Sequence, residues 1–389
     1  MLHEQRSPAS LKRIFEDGDS SSIQGRLSDI NWNFETREPA HAIESIHPYP
    51  AKFIGDIPRA LLKVLPLKAN TVVLDPFSGS GTTLLSAQRA GMRSVGVDVN
   101  PIACMIARVK TGHTPPDLIA VAEEICRRAN KNKSPKAWDI PNLDHWFKRD
   151  IQLAVSAILE EVDQIGGGPV RDILRLSLSS ILVRISNQES DTRYAAVEKN
   201  VGYSGVFVAF RNAVAKISGA LESRTWNHVS AQVIEANTLE LDPASIGEKV
   251  GLVVTSPPYP NAYEYWLYHK YRMWWLGFDP LAVKDAEIGA RAHFFKKEHH
   301  TELTFWQQMR GTFKLIDSVL VPGGYACFVV GRSKIHGKIV DNAHILESIA
   351  EEFSLRRIFR FDRTISAQRK SFNLSHANIK TEAVIVFEK

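Results

Sequence analysis

The stretch from Thr71 to Asp98 constrains the fold more than any other part of this chain. Thr71-Val72-Val73-Leu74-Asp75 is an apolar run of buried-strand length, and Gly79 and Gly81 break it. Thr82 to Ala90 carries a helical pattern, and Ser94-Val95-Gly96-Val97-Asp98 reads as a second strand. Asn100-Pro101 then supplies an N-cap and an N1 proline for a further helix. A strand, a glycine turn, a helix and another strand in so short a span predict a parallel α/β sheet.

The turn also has a chemistry. Its glycines let the backbone approach a ligand closely, and a carboxylate at Asp98 can accept both ribose hydroxyls of a nucleoside. A glycine turn alone would serve NAD equally well. Three details point elsewhere: the glycines do not fit G-x-G-x-x-G, Asp75 ends the first strand, and no lysine follows as a phosphate loop requires. An anionic Asp75 repels pyrophosphate but suits the ammonium and sulfonium of S-adenosylmethionine.

With 389 residues, 44% apolar and 23% charged, the chain suits a large core plus an insertion. No apolar run reaches the length of a membrane-spanning helix, and the charged start lacks an export signal, so a cytoplasmic protein is expected. Cys104, Cys126 and Cys327 are far apart without CxxC spacing, which argues against a disulfide framework or a metal site. The polar residues 1–40 read as a loosely ordered arm. Between about 111 and 235 the apolar spacing turns helical, as in Val170, Ile173, Leu174, Leu178, Ile181, Leu182 and Ile185. Short strands resume at Gly251–Thr255, Tyr325–Val330, Arg357–Phe361 and Ala383–Phe387, with an antiparallel pair expected at the C-terminal edge. The expected division is therefore an arm (1–40), a first core part (41–112), a helical insertion (113–230) and a second core part (231–389).

Val253-Val254-Thr255-Ser256-Pro257-Pro258-Tyr259 puts a proline-stiffened polar loop at the carboxyl end of an apolar strand, the edge where open α/β sheets bind ligands. Such a loop suits transfer to an exocyclic amine, whose lone pair is delocalised into its ring. The Ser256 hydroxyl and the Pro257 carbonyl can accept the amine's hydrogens, two prolines fix the dihedrals, and Tyr259 offers a flat face to a base.

Asp75 to Thr83 resembles motif I of the amino-methylating DNA methyltransferases, and Ser256-Pro257-Pro258-Tyr259 resembles their motif IV. His47-Pro48-Tyr49-Pro50-Ala51-Lys52-Phe53 is similar to their motif X, and Val233 to Thr238, including Asn237 where Asp is frequent, to motif III. Gly323-Gly324-Tyr325 and Asn378 to Glu382 resemble later motifs. The resemblance implies a Rossmann-like class I S-adenosylmethionine-dependent core with a helical insertion, methylating double-stranded DNA in a prokaryotic cytoplasm at the nucleoid. A cognate restriction endonuclease is a further partner it allows. It implies cofactor contacts from Tyr49, Lys52, Phe53, Asp75, Phe77, Gly79, Ser80, Gly81, Thr82, Asp98, Asn100 and Asn237. It implies no metal, and no covalent cysteine chemistry, since Pro258 stands where carbon-5 methylation needs a cysteine. Ser256 favours N4 of cytosine; N6 of adenine is the nearest alternative, and an idle DNA-binding scaffold of the same fold is another.

Net charge is +5, and the excess lies beyond about residue 262, in Arg291/Lys296/Lys297, Arg332/Lys334/Lys338 and a cluster from Arg356 to Lys370. Such a face gathers phosphate. Arg193, Tyr263, Lys296, Lys297, Arg332 and Lys334 are the expected DNA contacts. The helical insertion, with its polar loop from Arg184 to Gly205, is the candidate sequence reader. A wholly structural or oligomerising role remains open for it. The aromatic run from Tyr263 to Trp275 is expected to be mostly core, with Tyr263 and Tyr265 as exceptions.

Overall fold

The computed structural model describes residues 22–36, 39–52, 54–132, 134–191, 193–260, 263–295, 300–364 and 381–389. Its strands are β1 (Val72–Asp75), β2 (Ser94–Asp98), β3 (Gln188–Ser190), β4 (Arg193–Ala196), β5 (Ala231–Glu235), β6 (Val250–Thr255), β7 (Leu320–Gly331), β8 (Ser333–Ile335), β9 (Lys338–Val340), β10 (Arg356–Thr364) and β11 (Thr381–Glu388). Seven of them form one sheet in the order β10-β11-β7-β6-β1-β2-β5. From β7 to β5 every pairing is parallel, and β11 runs antiparallel to both its neighbours. This is the Rossmann-like α/β core that the motifs imply, closed by an antiparallel pair.

Why these runs make central strands follows from their two faces. Val72 and Leu74 point into one apolar cluster, with Phe305, Met309 and Phe313 of helix Glu302–Val319. Val73 between them points into the other, with Ile57 and Leu61 of helix Asp56–Val64. A strand covered by helices on both sides must be apolar throughout, and β1 and β6 are buried at every position. Cys327 is fully buried in β7, and burial pushes its thiol far above the usual range, so it is core.

Residues 113–230 carry the long helices Leu118–Ala129, Arg149–Asp163, Pro169–Ile185 and Tyr203–Glu222. Their apolar faces share one cluster with Ile102, Met105 and Ile106 of helix Pro101–Thr111, and with Tyr271, Met273 and Trp275 of helix Tyr265–Trp275. Within the expected polar loop Arg184–Gly205 the chain instead forms the β3–β4 hairpin. Asp191 between its strands pairs with Arg272, and the Tyr194 hydroxyl donates to the Leu267 carbonyl, so helix Tyr265–Trp275 holds the hairpin in place.

The N-terminal segment corrects the expectation of a loose arm from residue 22 onward; residues 1–21, 37 and 38 lie outside the described residues. Leu27 and Trp32 are fully buried, and Trp32 donates from Nε1 to the Leu27 carbonyl at 2.9 Å. Its ring packs 5.5 Å from that of Phe359, and Arg363 donates from Nε to its carbonyl at 2.8 Å. A few apolar side chains among polar ones make no periodic signal, yet they suffice to dock a short segment on the sheet. Replacing Trp32 with alanine is expected to cost about 3–5 kcal/mol of stability, measured by urea unfolding.

Candidate active site

Because β6, β1 and β2 are adjacent and parallel, their last residues Thr255, Asp75 and Asp98 stand at one edge. The chain leaves β1 toward β2 on one side and returns to β6 on the other, so this edge is the switch point where a crevice opens. A cavity of about 270 Å³ lies there, lined by the Phe77–Ser80 turn, Thr82, Asp98 and the loop Ser256–Tyr259.

Asp98 forms the centre of one half. Its Oδ2 accepts from the Gly79 amide at 2.8 Å and its Oδ1 from the Asn100 amide at 2.9 Å. Each oxygen keeps a second lone pair, so the carboxylate can accept two hydroxyls from the cavity side. Burial pushes its carboxyl up to about 6, although the backbone N–H groups of Asn100, Gly79 and Val99 oppose the shift. Asn100 lines the cavity and caps helix Pro101–Thr111 through Oδ1, while its buried Nδ2 has no partner among the described residues. Gly79 has φ +48°, and a Cβ there would stand 3.1 Å from the Tyr49 hydroxyl. Asn237 lines the cavity, but its amide is engaged locally, donating to Glu240 and accepting from the Leu239 amide. Tyr49 and Lys52 line the same half, and Phe53 lies outside the described residues.

Two expected cofactor residues sit behind the wall rather than on it. Asp75 is 1% exposed. Its Oδ1 accepts from the Thr255 hydroxyl at 2.7 Å and from the Phe77 amide at 3.1 Å, and burial raises its carboxyl to about 6. Asp75 is not among the residues that line the cavity, and through Oδ1 it ties β1 to β6. Gly81, at φ +78°, would place a Cβ 2.9 Å from that of Ala107, so it serves close packing of a helix. Under the turn lies a residue without any sequence signal: Lys110, 2% exposed, whose ammonium donates to the Ser80 carbonyl at 2.9 Å.

In the other half, the Ser256 hydroxyl donates to the Val329 carbonyl at 3.0 Å. With its proton held there, its lone pairs are left to accept. Tyr259 lines the cavity, its backbone packed so closely on Gly289 (φ +74°) that a Cβ there would meet the Tyr259 carbonyl oxygen at 2.8 Å. Tyr263 and Tyr265 complete an aromatic wall: Tyr265 stacks on Tyr49 at 5.6 Å and packs against Tyr263 at 5.3 Å. The rest of the run, from Tyr271 to Trp275, is mainly core.

Glu287 was not marked by any motif. It lines the cavity at 5% exposure and accepts from the Tyr265 and Trp266 amides at 2.9 and 2.8 Å, fixing the start of the aromatic helix. Arg363 and Glu382, facing each other across β10 and β11, also reach the cavity as an ion pair.

Of the expected DNA contacts, Arg193 is exposed and paired with Glu189, Arg332 and Lys334 are exposed and do not line the cavity, and Lys296 and Lys297 lie outside the described residues. The cluster from Arg356 is not the open basic face its sequence suggests. Arg356 pairs with Glu388, Arg357 and Arg360 with Glu347, and Arg363 with Glu382, while 369 and 370 lie outside the described residues.

Comparison with known proteins bears on these same segments. Residues 9–109 match a family model described as DNA methylase. The Type II methyltransferase M.MjaII of Methanocaldococcus jannaschii is 39% identical over 74 residues, 19% of this chain and 14% of that one. M.MvaI of Kocuria varians is 22% identical over 253 residues, 59% of this chain and 55% of that one. M.AvaI of Nostoc sp. is 23% identical over 243 residues, 56% of this chain and 50% of that one. The chain thus spans between 14% and 55% of the length of these relatives. Among solved structures, an rRNA methyltransferase, AviRa of Streptomyces viridochromogenes, aligns over 97% of this chain and 96% of its own at 13% identity and a TM-score of 0.34. Asp98, the Asn100 amide and the Gly79 cradle form a donor and acceptor set that fits the nucleoside of S-adenosylmethionine.

Burial raises Glu287 to about 8 from an ordinary 4.5, with Glu264 and Asp98 adding to it and two amide hydrogen bonds opposing it. A raised carboxyl contributes stability that is complete below the unfolded value and lost as pH rises through the folded one. Relative to Glu287→Gln, the protein should therefore lose stability steadily between pH 4.5 and about 8 and no further above it. Urea unfolding across that range checks this, and a constant difference would refute it.

Proposed function

We propose that this chain is an amino-methylating DNA methyltransferase, which transfers a methyl group from S-adenosylmethionine to the exocyclic N4 amine of cytosine in double-stranded DNA. The observation that carries it is the convergence of the Gly79–Asp98 half and the Ser256–Tyr259 loop on one cavity. Resemblance of Ser256 to the serine form of the family's catalytic loop supports cytosine over adenine. On this reading residues 41–112 and 231–389 form the catalytic part, and residues 113–230 are the candidate target reader. A nuclease of shared recognition sequence is the expected counterpart, as in a Type II restriction-modification pair, acting on DNA in the cytoplasm.

When bound, the donor supplies an electrophilic methyl group. The chain's own residues do the rest by positioning. The base must leave the duplex to enter the cavity, where Tyr259, Tyr263 and Tyr265 provide flat faces. The Ser256 hydroxyl, its proton committed to Val329, accepts one amine hydrogen, and the Pro257 carbonyl accepts the other. Both bonds strengthen as the nitrogen rehybridises, which turns its lone pair out of the ring. Asp98 holds the nucleoside hydroxyls as an ionised acceptor.

Incubation with unmethylated bacterial DNA and labelled donor, followed by nucleoside analysis, should yield N4-methylcytosine. N6-methyladenine alone would overturn the cytosine assignment, and no methylated base from protein that binds the donor would overturn the whole reading. Ser256→Ala should lower kcat by roughly 10²–10³ while donor affinity is kept.

Donor affinity itself should be complete above pH 6 and fall as pH drops through about 6, where Asp98 takes up a proton. Calorimetric titration across pH checks this, and Asp98→Asn should bind weakly with a flat profile.

A further inference from the structure

We propose that Arg363, held in place by Glu382, selects cytosine, its guanidinium donating to the N3 and O2 acceptors of the pyrimidine whose N4 amine lies at Ser256. The inference rests on the cytosine reading above and names the group that enforces it.

The order of the strands gives the placement. Along the edge where the parallel strands end, Asp98 closes β2, Ser256 follows β6, and Glu382 and Arg363 stand on β11 and β10. Gly331 at the end of β7 pairs with Glu382, and Glu382 with Arg363, so the three form one row across the sheet. The Ser256 loop therefore lies between Asp98 and Arg363. A donor with its ribose at Asp98 must turn its methyl group toward Ser256, and an amine that meets this methyl opposite the sulfur belongs to a base on the Arg363 side. Reach agrees. From β6 to β10 is three strand spacings, about 14 Å. Two hydrogen bonds of about 3 Å each and one pyrimidine ring take up most of that span, and the long arginine side chain covers the rest.

The setting of Arg363 is that of a base reader and not of a phosphate clamp. At 3% exposure its charge serves the cavity it lines, not an open face. Its Nε donates to the Trp32 carbonyl at 2.8 Å, one terminal nitrogen donates to Glu382, and the Phe34 ring lies 6.0 Å away. Of the five N–H groups of a guanidinium these bonds use two, and the others have no partner among the described residues. Glu382 balances the charge, so what the cavity meets is a fixed fork of donors. Glu382 also stands near Tyr259, where it adds to the rise that burial gives the tyrosine hydroxyl.

Cytosine suits such a fork. Beside its amine it carries two acceptors in succession, the ring N3 and the O2 carbonyl. Adenine offers N1 and then a C2–H, which would leave a buried N–H of a charged group unmet. N3 is also the more nucleophilic of the two cytosine nitrogens, and a donor placed on it keeps its lone pair from the methyl group.

The test uses the full chain with short duplexes that carry a site it methylates in bacterial DNA, the target base being cytosine or 2-thiocytosine. Sulfur at position 2 is a poor acceptor, so the wild type should transfer to it about tenfold more slowly. Arg363→Met/Glu382→Gln removes the donors without leaving a buried acid unpaired. It should slow transfer to cytosine about tenfold, treat the two bases alike, and keep donor affinity in calorimetry. A purely structural Arg363 would slow both duplexes and preserve their ratio. Equal wild-type rates on the two bases, or a ratio preserved in the variant, overturn the assignment, and the wild-type comparison decides whether or not the variant folds. Donor affinity lost in a folded variant places Arg363 against the donor and overturns it as well. N6-methyladenine as the sole product overturns the cytosine reading and this assignment with it, whereas N4-methylcytosine formed at equal rates overturns the assignment alone.

Discussion

The site depends on the short bond between Asp75 and Thr255, buried where β1 and β6 end. Parallel strands stay in step along the sheet, but their loops diverge as soon as pairing stops. A buried carboxylate and hydroxyl at that point constrain how both loops depart, one to the Asp98 side of the cavity and one to the Ser256 side. Thr83 reinforces the arrangement by donating to the Val254 carbonyl from the following helix. Burial makes the Asp75 carboxyl reluctant to ionise, a cost that the surrounding donors only partly offset. The two halves therefore have one shared origin.

Around that origin the residues divide into those that touch the cavity and those that shape it. Asp98, Asn100 and Ser256 each present unused hydrogen-bonding capacity to it while their remaining capacity is committed to the backbone. Lys110 and Glu287 hold the polypeptide at its two sides, one under the glycine turn and one at the start of the aromatic helix. In the proposed reaction such preorganisation would reduce the motion needed to bring an amine and a methyl into line.

The sheet and both loops were legible because they obey local rules: an apolar run, a glycine turn, an N-cap with its proline, a stiff Pro-Pro pair. Asp75 was legible as an acid at a strand end, but its bond to Thr255 was not, since a sequence does not say which neighbouring strand end a side chain meets. Lys110 and Glu287 were not legible at all, because their partners are backbone atoms supplied by distant turns and helices. The arginines of β10 show the reverse error. They formed a basic cluster in sequence, whereas their acids come from β11 and the preceding helix, so the charge is largely cancelled in space.

The position of β11 has a consequence for how the protein is made. This strand, carrying residues 381–388, sits inside the sheet between β7 and β10 rather than at its edge. Trp32, near the other end of the sequence, is held by Arg363 of β10. At ordinary synthesis rates these segments leave the ribosome roughly 20–70 s apart. Until β10 arrives the Trp32 segment lacks its seat, and for about 3–12 s more, from the synthesis of β7 to that of β11, β7 offers a long unpaired margin. During those seconds the open margin is a template for pairing with another chain.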